Sequence, residues 1–237
     1  MSEPASTVPV SGHSVLRVTR SKAAAQAAYD RMSRFYDRLA GDSEWPFTEK
    51  GLRLLALRDG EQALEIGYGT GRAIVAMARA VGPGGRIFGI DISGGMQRAA
   101  AERVRREGVD GRTELRRGDA TVLPYAAESM DAVFLSFTLE LFDTPEIPTL
   151  LAECRRVLRP GGRIGVVAMR EADPPGLMLR LYKSAHNLFP AMVDCRPIYA
   201  RDALRQAGFR IRYAEETSMW GLPVDVLLGG KAAEGRA

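Results

Sequence analysis

Cysteine is almost missing: the 237 residues hold two, Cys154 and Cys195, at no metal-ligand spacing. That excludes a disulfide-stapled module and fits a reducing, cytoplasmic setting. Histidine is equally scarce, with His13 and His186 alone. No His, Cys and carboxylate cluster suggests a metal, and none is expected. No run of 18 apolar residues occurs, so no stable membrane insertion is expected. The longest apolar-looking stretch, residues 132–142, is broken by Ser136, Thr138 and Glu140. The first twenty residues lack the apolar block of a signal peptide. Lysine is rare too, only four of the 33 basic residues, so the net charge of +4 rests on arginine. Those arginines alternate with acids along helical stretches. Nucleic-acid binding would gather them into a patch, so no nucleic-acid partner is expected.

What is present is ordinary for a globular chain: 46% hydrophobic and 26% charged residues. The length sits near the upper size at which one domain keeps one core. Residues 1–20 read as a flexible tail and residues 21–237 as a single domain. From Ser21 the composition turns helical, and Trp45-Pro46 closes that segment. Residues 49–57 read as another helix. Beyond them strands alternate with helices: strands at 63–66, 86–90, 113–117, 132–136 and 164–169, helices at 71–81, 94–107 and 146–158. Alternation of this kind implies right-handed crossovers and a parallel sheet covered on both faces. Residues 171–198 break the rhythm with Pro174-Pro175-Gly176 and the helix-like run LMLRLYKSAHNLF. A helix at 199–207 and closing strands at 209–214 and 224–228 complete the pattern.

The stretch ALEIGYGTGR, residues 63–72, carries the chemistry. A strand runs into glycines at 67, 69 and 71 and then into a helix. Glycine permits a tight turn and close approach of a ligand to the backbone, and the helix start offers free N–H donors. A dinucleotide fingerprint would need glycine at position 72, where Arg72 stands. A nicotinamide-dependent oxidoreductase is therefore the weaker reading, and a non-catalytic protein of the same fold is the other alternative.

Together with four further motifs, this stretch resembles the class I S-adenosylmethionine-dependent methyltransferases. Within them it resembles the branch containing the ubiquinone and menaquinone biosynthesis C-methyltransferases. The motifs are AYDRMSRFYD at 28–37, IFGIDIS at 87–93, GDATVLPYAAESMDAVFLSF at 118–137 and RRVLRPGGRI at 155–164. Tyr68 stands where that branch most often has cysteine. The resemblance implies a doubly wound, Rossmann-like α/β fold, with a seven-stranded, mostly parallel sheet and an antiparallel last strand. Helical caps at 21–58 and 171–198 would close it. It also implies S-adenosyl-L-methionine as methyl donor and a small-molecule acceptor, and it leaves a homodimer open.

Roles follow residue by residue. Asp91, ending the second strand, can accept from both ribose hydroxyls. Ile92 and Met96 would offer apolar contact to the adenine. Asp119, followed by Ala120, would accept from the adenine amino group, or else cap the turn at Thr121–Leu123. Ser136 ends the fourth strand facing the cofactor. Glu65 would hold the loop of Gly67, Tyr68, Gly69 and Gly71. Tyr29 and Tyr36 share one helix face, and the resemblance puts such a tyrosine near the methionine carboxylate.

Methyl transfer needs mainly placement of the acceptor and exclusion of water. It needs a base only if the acceptor must lose a proton. His186 and Glu140 are the candidates for that role. Arg196 would bind an anionic group or pair with a helix. Leu177, Met178, Leu179, Leu181, Tyr182, Leu188, Phe189 and Met192 would line an apolar cleft. The stretch LELFDTPEIP after the fourth strand departs from the quinone branch, which leaves the expected acceptor as a small hydrophobic or aromatic metabolite.

Overall fold

The computed structural model describes residues 7–10, 13–16, 23, 26, 27, 30, 42–172, 175–176, 178–180, 182 and 196–233. Tyr29, Tyr36, His186, Cys195 and most of the expected 171–198 cap lie outside the described residues.

Short apolar strands alternating with amphipathic helices give a seven-stranded sheet. In chain order its strands are β3 (Gln62–Ile66), β4 (Arg86–Asp91), β5 (Thr113–Arg117), β6 (Met130–Ser136), β7 (Leu158–Met169), β8 (Arg210–Met219) and β9 (Leu222–Gly230). Their spatial order is β5-β4-β3-β6-β7-β9-β8. Neighbours from β5 to β7 pair in parallel, and β9 is antiparallel to both β7 and β8. A separate antiparallel pair, β1 (Thr7–Val10) with β2 (His13–Leu16), lies in the segment read as a tail.

Side chains alternate across each strand, so each face feeds its own core. Leu64, Ile66, Val133 and Leu135 pack with α4 (Ile147–Val157) and α5 (Ala200–Gln206). Ala63, Ala132 and Phe134 face the other way, onto α1 (Asp42–Leu55), α2 (Arg72–Ala80) and α3 (Gly94–Arg106). Ile74, Met77 and Leu55 are fully sealed there. Each such side chain contributes about 1.5–3 kcal/mol by leaving water.

One expected boundary is corrected. Trp45-Pro46 does not end a helix; both lie inside α1, which begins at Asp42. Pro46 is the fifth residue of α1. Its missing N–H would have reached only the carbonyl of Asp42, at the helix end, where the loss costs little. Trp45 is held by the Arg72 guanidinium stacked 4.1 Å above its ring, and Arg72 also donates to Asp42 at 2.9 Å.

Strand order reverses between β3 and β6. In open α/β sheets ligands bind outside the carboxyl ends of strands at such a switch point. The loops after β3, β4 and β6 meet at that edge.

Candidate cofactor and acceptor site

The loop after β3 is built by close approaches. Gly67 has φ +71°, and a Cβ on it would lie 2.4 Å from the Thr138 side chain. Glycine is therefore required both by the left-handed backbone and by the loop after β6. The Gly67 N–H donates to the Ile90 carbonyl at 2.8 Å, and the Gly71 N–H to the Tyr68 carbonyl at 2.8 Å. The Tyr68 ring turns away from the loop and lies over Gly89. Its hydroxyl donates to the Arg116 carbonyl at 3.2 Å, and burial pushes its pKa well above the usual phenol range.

Asp91 ties this loop to the next. One carboxylate oxygen accepts from the Gly69 N–H at 3.0 Å and the other from the Ser93 N–H at 2.8 Å. Burial raises Asp91 to about 6, partly offset by those two donors, so it remains charged at neutral pH. Glu65 lies one strand away, buried, with Oε2 bonded to nothing among the described residues. Burial, with the neighbouring Asp91 charge, raises it to about 8.

On the third strand's loop, Asp119 Oδ1 accepts from the Thr121 N–H at 2.9 Å and its hydroxyl at 2.8 Å. The capping alternative for Asp119 is thus realised on that oxygen. Ala120 and Met96 are buried, and Ile92 is half-buried.

The other half of the edge belongs to β6, β7 and α1. Ser136 pairs hydroxyl to hydroxyl with Thr48 of α1 at 2.7 Å, and its carbonyl accepts from the Thr138 hydroxyl at 2.9 Å. Phe137 follows at φ +49°, unusual for a bulky residue. Its N–H donates to the Val167 carbonyl, and its ring meets Phe47 edge-on at 6.4 Å. Glu140, in the 3-10 turn Leu139–Leu141, is fully buried rather than on a helix surface. Its Oε1 accepts from the Met169 N–H at 3.0 Å, while Oε2 has no partner among the described residues. Burial raises Glu140 to about 8, opposed in part by the Met169 N–H and the Arg196 charge. Arg196 is itself fully buried and donates from Nη2 to the Phe142 carbonyl at 2.6 Å. Leu179 and Tyr182 pack against Phe137, Met169, Met219 and Leu222, which gives this end an apolar wall.

With that geometry in place, relatives can be compared. A family model described as a methyltransferase domain matches residues 63–162, the stretch from β3 into β7. Nocamycin O-methyltransferase of Saccharothrix syringae is 33% identical over 202 residues, covering 76% of this chain and 70% of that enzyme. The chain belongs to the S-adenosylmethionine-dependent methyltransferases. Demethylmenaquinone methyltransferase of Lactobacillus johnsonii is 32% identical over 162 residues, 68% of this chain. The chain spans 64% of that enzyme's length. Among solved structures, the [4+2]-cyclase SpnF superposes with TM-score 0.72 at 21% identity, covering 90% of this chain and 98% of its own. At that identity SpnF shows the fold and nothing more.

The residues present fit the methyltransferase donor. A Cβ on Gly69 would meet nothing within 4 Å, so open space lies over the loop where a nucleoside would approach. Asp91 is charged and has acceptor capacity beyond its two loop donors. The unpartnered Glu65 Oε2 marks a polar position in an otherwise packed strand end. The structure brings Glu65, Gly67, Gly69, Gly71, Asp91, Ser136 and Asp119 to one sheet edge, and sets Glu140 apart from the glycine loop beside β7. Sequence reasoning missed Asp30, Thr48 and Thr138. Asp30 lies within a quoted motif, but its partners are 63 and 65 residues away, and no spacing rule announces them.

Proposed function

We propose that the protein transfers the methyl group of S-adenosylmethionine to a small hydrophobic or aromatic acceptor. The observation that carries this reading is the division of one sheet edge. Charged and backbone donors and acceptors cluster at β3–β4, and an aromatic and aliphatic wall stands at β6–β7. The names of the two relatives, a nocamycin and a demethylmenaquinone methyltransferase, support an acceptor of that class.

The donor, when bound, supplies an activated methyl group and a good leaving group. The chain's own residues bind and orient. Asp91 would accept from the ribose hydroxyls while keeping the glycine loop folded through Gly69. Ile92 and Met96 would flank the base, and Ser136 would face the cofactor from β6. Phe137 and the Leu179 wall would exclude water on the acceptor side. Placement of this kind can supply about 7–11 kcal/mol of the barrier. Where the acceptor must shed a proton, Glu140 is the candidate among the described residues. A carboxyl raised to about 8 by burial exchanges its proton near neutral pH. Tyr29, Tyr36 and His186 keep their proposed roles as methionine-side and base residues. No helix among the described residues is long and apolar enough to cross a membrane. A cytoplasmic location, the absence of a nucleic-acid partner and a homodimer belong to the same proposal.

The test is label transfer. The protein is incubated with methyl-labelled donor and separate pools of hydroxyquinones, phenols, enols and total RNA. Label recovered in a small organic product, identified by mass spectrometry, supports the reading. Label in RNA, or none in any pool despite donor binding, would overturn it.

A further inference from the structure

Asp91 is not held by the sheet alone. Its neighbour Ser93 is fully buried, and its N–H and hydroxyl serve three partners. The Ser93 N–H donates to Asp91 Oδ1 at 2.8 Å, and its hydroxyl oxygen accepts from the Met96 N–H at 3.1 Å, capping α3. The same hydroxyl donates to Asp30 Oδ1 at 2.5 Å, and that oxygen also accepts from the Gly95 N–H at 2.7 Å. Asp30 belongs to a separate helical segment in which Ala23, Gln26 and Ala27 are also helical, and it precedes the matched domain at 63–162. Two carboxylates from distant parts of the chain therefore grip one serine.

We infer that Asp30 is a positioning residue, which fastens the N-terminal helical segment to α3 and, through Ser93, fixes the Asp91 carboxylate for the ribose of the methyl donor. This rests on the donor reading given above. A helix cap alone would not require Asp30, because Ser93 already caps Met96. Asp30 adds a fixed negative charge one serine away from Asp91. Arg98 and Arg117 face Asp30 and, with the Ser93 and Gly95 donors, hold it below the usual carboxylate range. Asp91 in turn faces the backbone N–H groups of Ser93, Gly69 and Ile92, the Asp30 charge, and Glu65 and Tyr68 from β3 and its loop. Asp30 is the like charge among these that raises Asp91, in addition to burial. Removing it lets Asp91 stay charged to lower pH.

Calorimetric titration of the full chain with S-adenosylhomocysteine from pH 5 to 8 tests this. Asp30→Ala should weaken binding at pH 7.5 by at least about tenfold, the effect of one charged hydrogen bond. Asp30→Asn retains an acceptor oxygen for Ser93 and Gly95. It should keep most of the affinity at pH 7.5 while moving the acid-side loss of binding to lower pH. That shift is a readout a simple cap would not produce. Unchanged affinity in Asp30→Ala, or the same acid midpoint in Asp30→Asn and wild type, overturns the inference and leaves the donor reading standing. If Asp30→Ala does not fold, the Asp30→Asn midpoint decides. Wild-type protein that fails to bind at any pH overturns the donor reading and this inference together.

Discussion

The two halves of the sheet edge that forms the candidate site are built on opposite physical plans. At β3–β4 the polar groups are backbone N–H donors and carboxylates at the ends of adjacent strands, so two short motifs, 22 positions apart from Gly69 to Asp91, supply them. At β6–β7 the charged groups are Glu140 and Arg196, fully buried and 56 positions apart, brought together only by the fold. In the reading proposed above, the first half meets the methyl donor. The ionisable groups of the second half are buried, and Glu140 is raised where Asp30 is lowered, because burial dominates the one and donors the other. Disturbing the first half should therefore cost affinity, and disturbing the second should cost stability.

The sharpest way to break that contrast is Arg196→Ala. It leaves the Phe142 carbonyl buried without its charged donor and removes a fully buried side chain. Loss of that hydrogen bond and of the packing around it costs about 3–5 kcal/mol. In a domain of this size that lowers the thermal midpoint by on the order of 10 °C. Scanning calorimetry reads it, and an unchanged midpoint would show that the buried guanidinium does not hold this end of the sheet.

Next comes Gly67→Ala. The left-handed backbone and the 2.4 Å approach to Thr138 together should weaken S-adenosylhomocysteine binding. Strain of about 1–3 kcal/mol corresponds to roughly a tenfold to hundredfold loss. In thermal midpoint, Gly69→Ala, whose Cβ meets nothing in the protein, should cost less than Gly67→Ala. Equal falls in midpoint at the two positions would refute the role given to Thr138.

Asp91→Asn removes the charge and turns one acceptor into a donor. The expected effect is about tenfold weaker binding, from loss of a charge-assisted bond, with little change in thermal midpoint. A stability loss matching that of Arg196→Ala would erase the distinction between the halves.

The last effect is a pH dependence. Glu65 keeps its proton in the folded state up to about pH 8, against an ordinary value of 4.5. The folded state thus binds a proton that the unfolded chain releases, and stability falls as pH rises through that window. Glu65→Gln, with no proton to lose, should flatten the fall in thermal midpoint between pH 5.5 and 8.5. Parallel curves for wild type and variant would mean that Glu65 is ionised throughout.

Much of the first half was legible from residues alone. The strand-glycine-helix pattern located the loop, and the end of the second sheet strand located Asp91, which accepts from that loop at Gly69. Asp119 left two readings open, and the contact to Thr121 realises the cap on one oxygen. The second half was less legible for a physical reason. Glu140 reads equally as a surface or a site residue, because burial is a property of what packs around it. Trp45-Pro46 reads as a helix stop because proline lacks an N–H, yet so near the start of α1 the missing group forgoes one bond, to the Asp42 carbonyl at the helix end.

The sequence by itself determined the order of strands and helices along the chain, the glycine loop, the acid that ends β4 and the acid just after β5, because hydrophobic period, glycine and strand-end carboxylates act over a few residues. Tertiary structure alone decided that Glu140 and Arg196 are sealed, that Ser136 is held by Thr48, that Tyr68 points into the core, and that Asp30 reaches Ser93. Each of these depends on groups tens of residues apart meeting in a medium from which water has been excluded, and local chemistry does not specify such meetings.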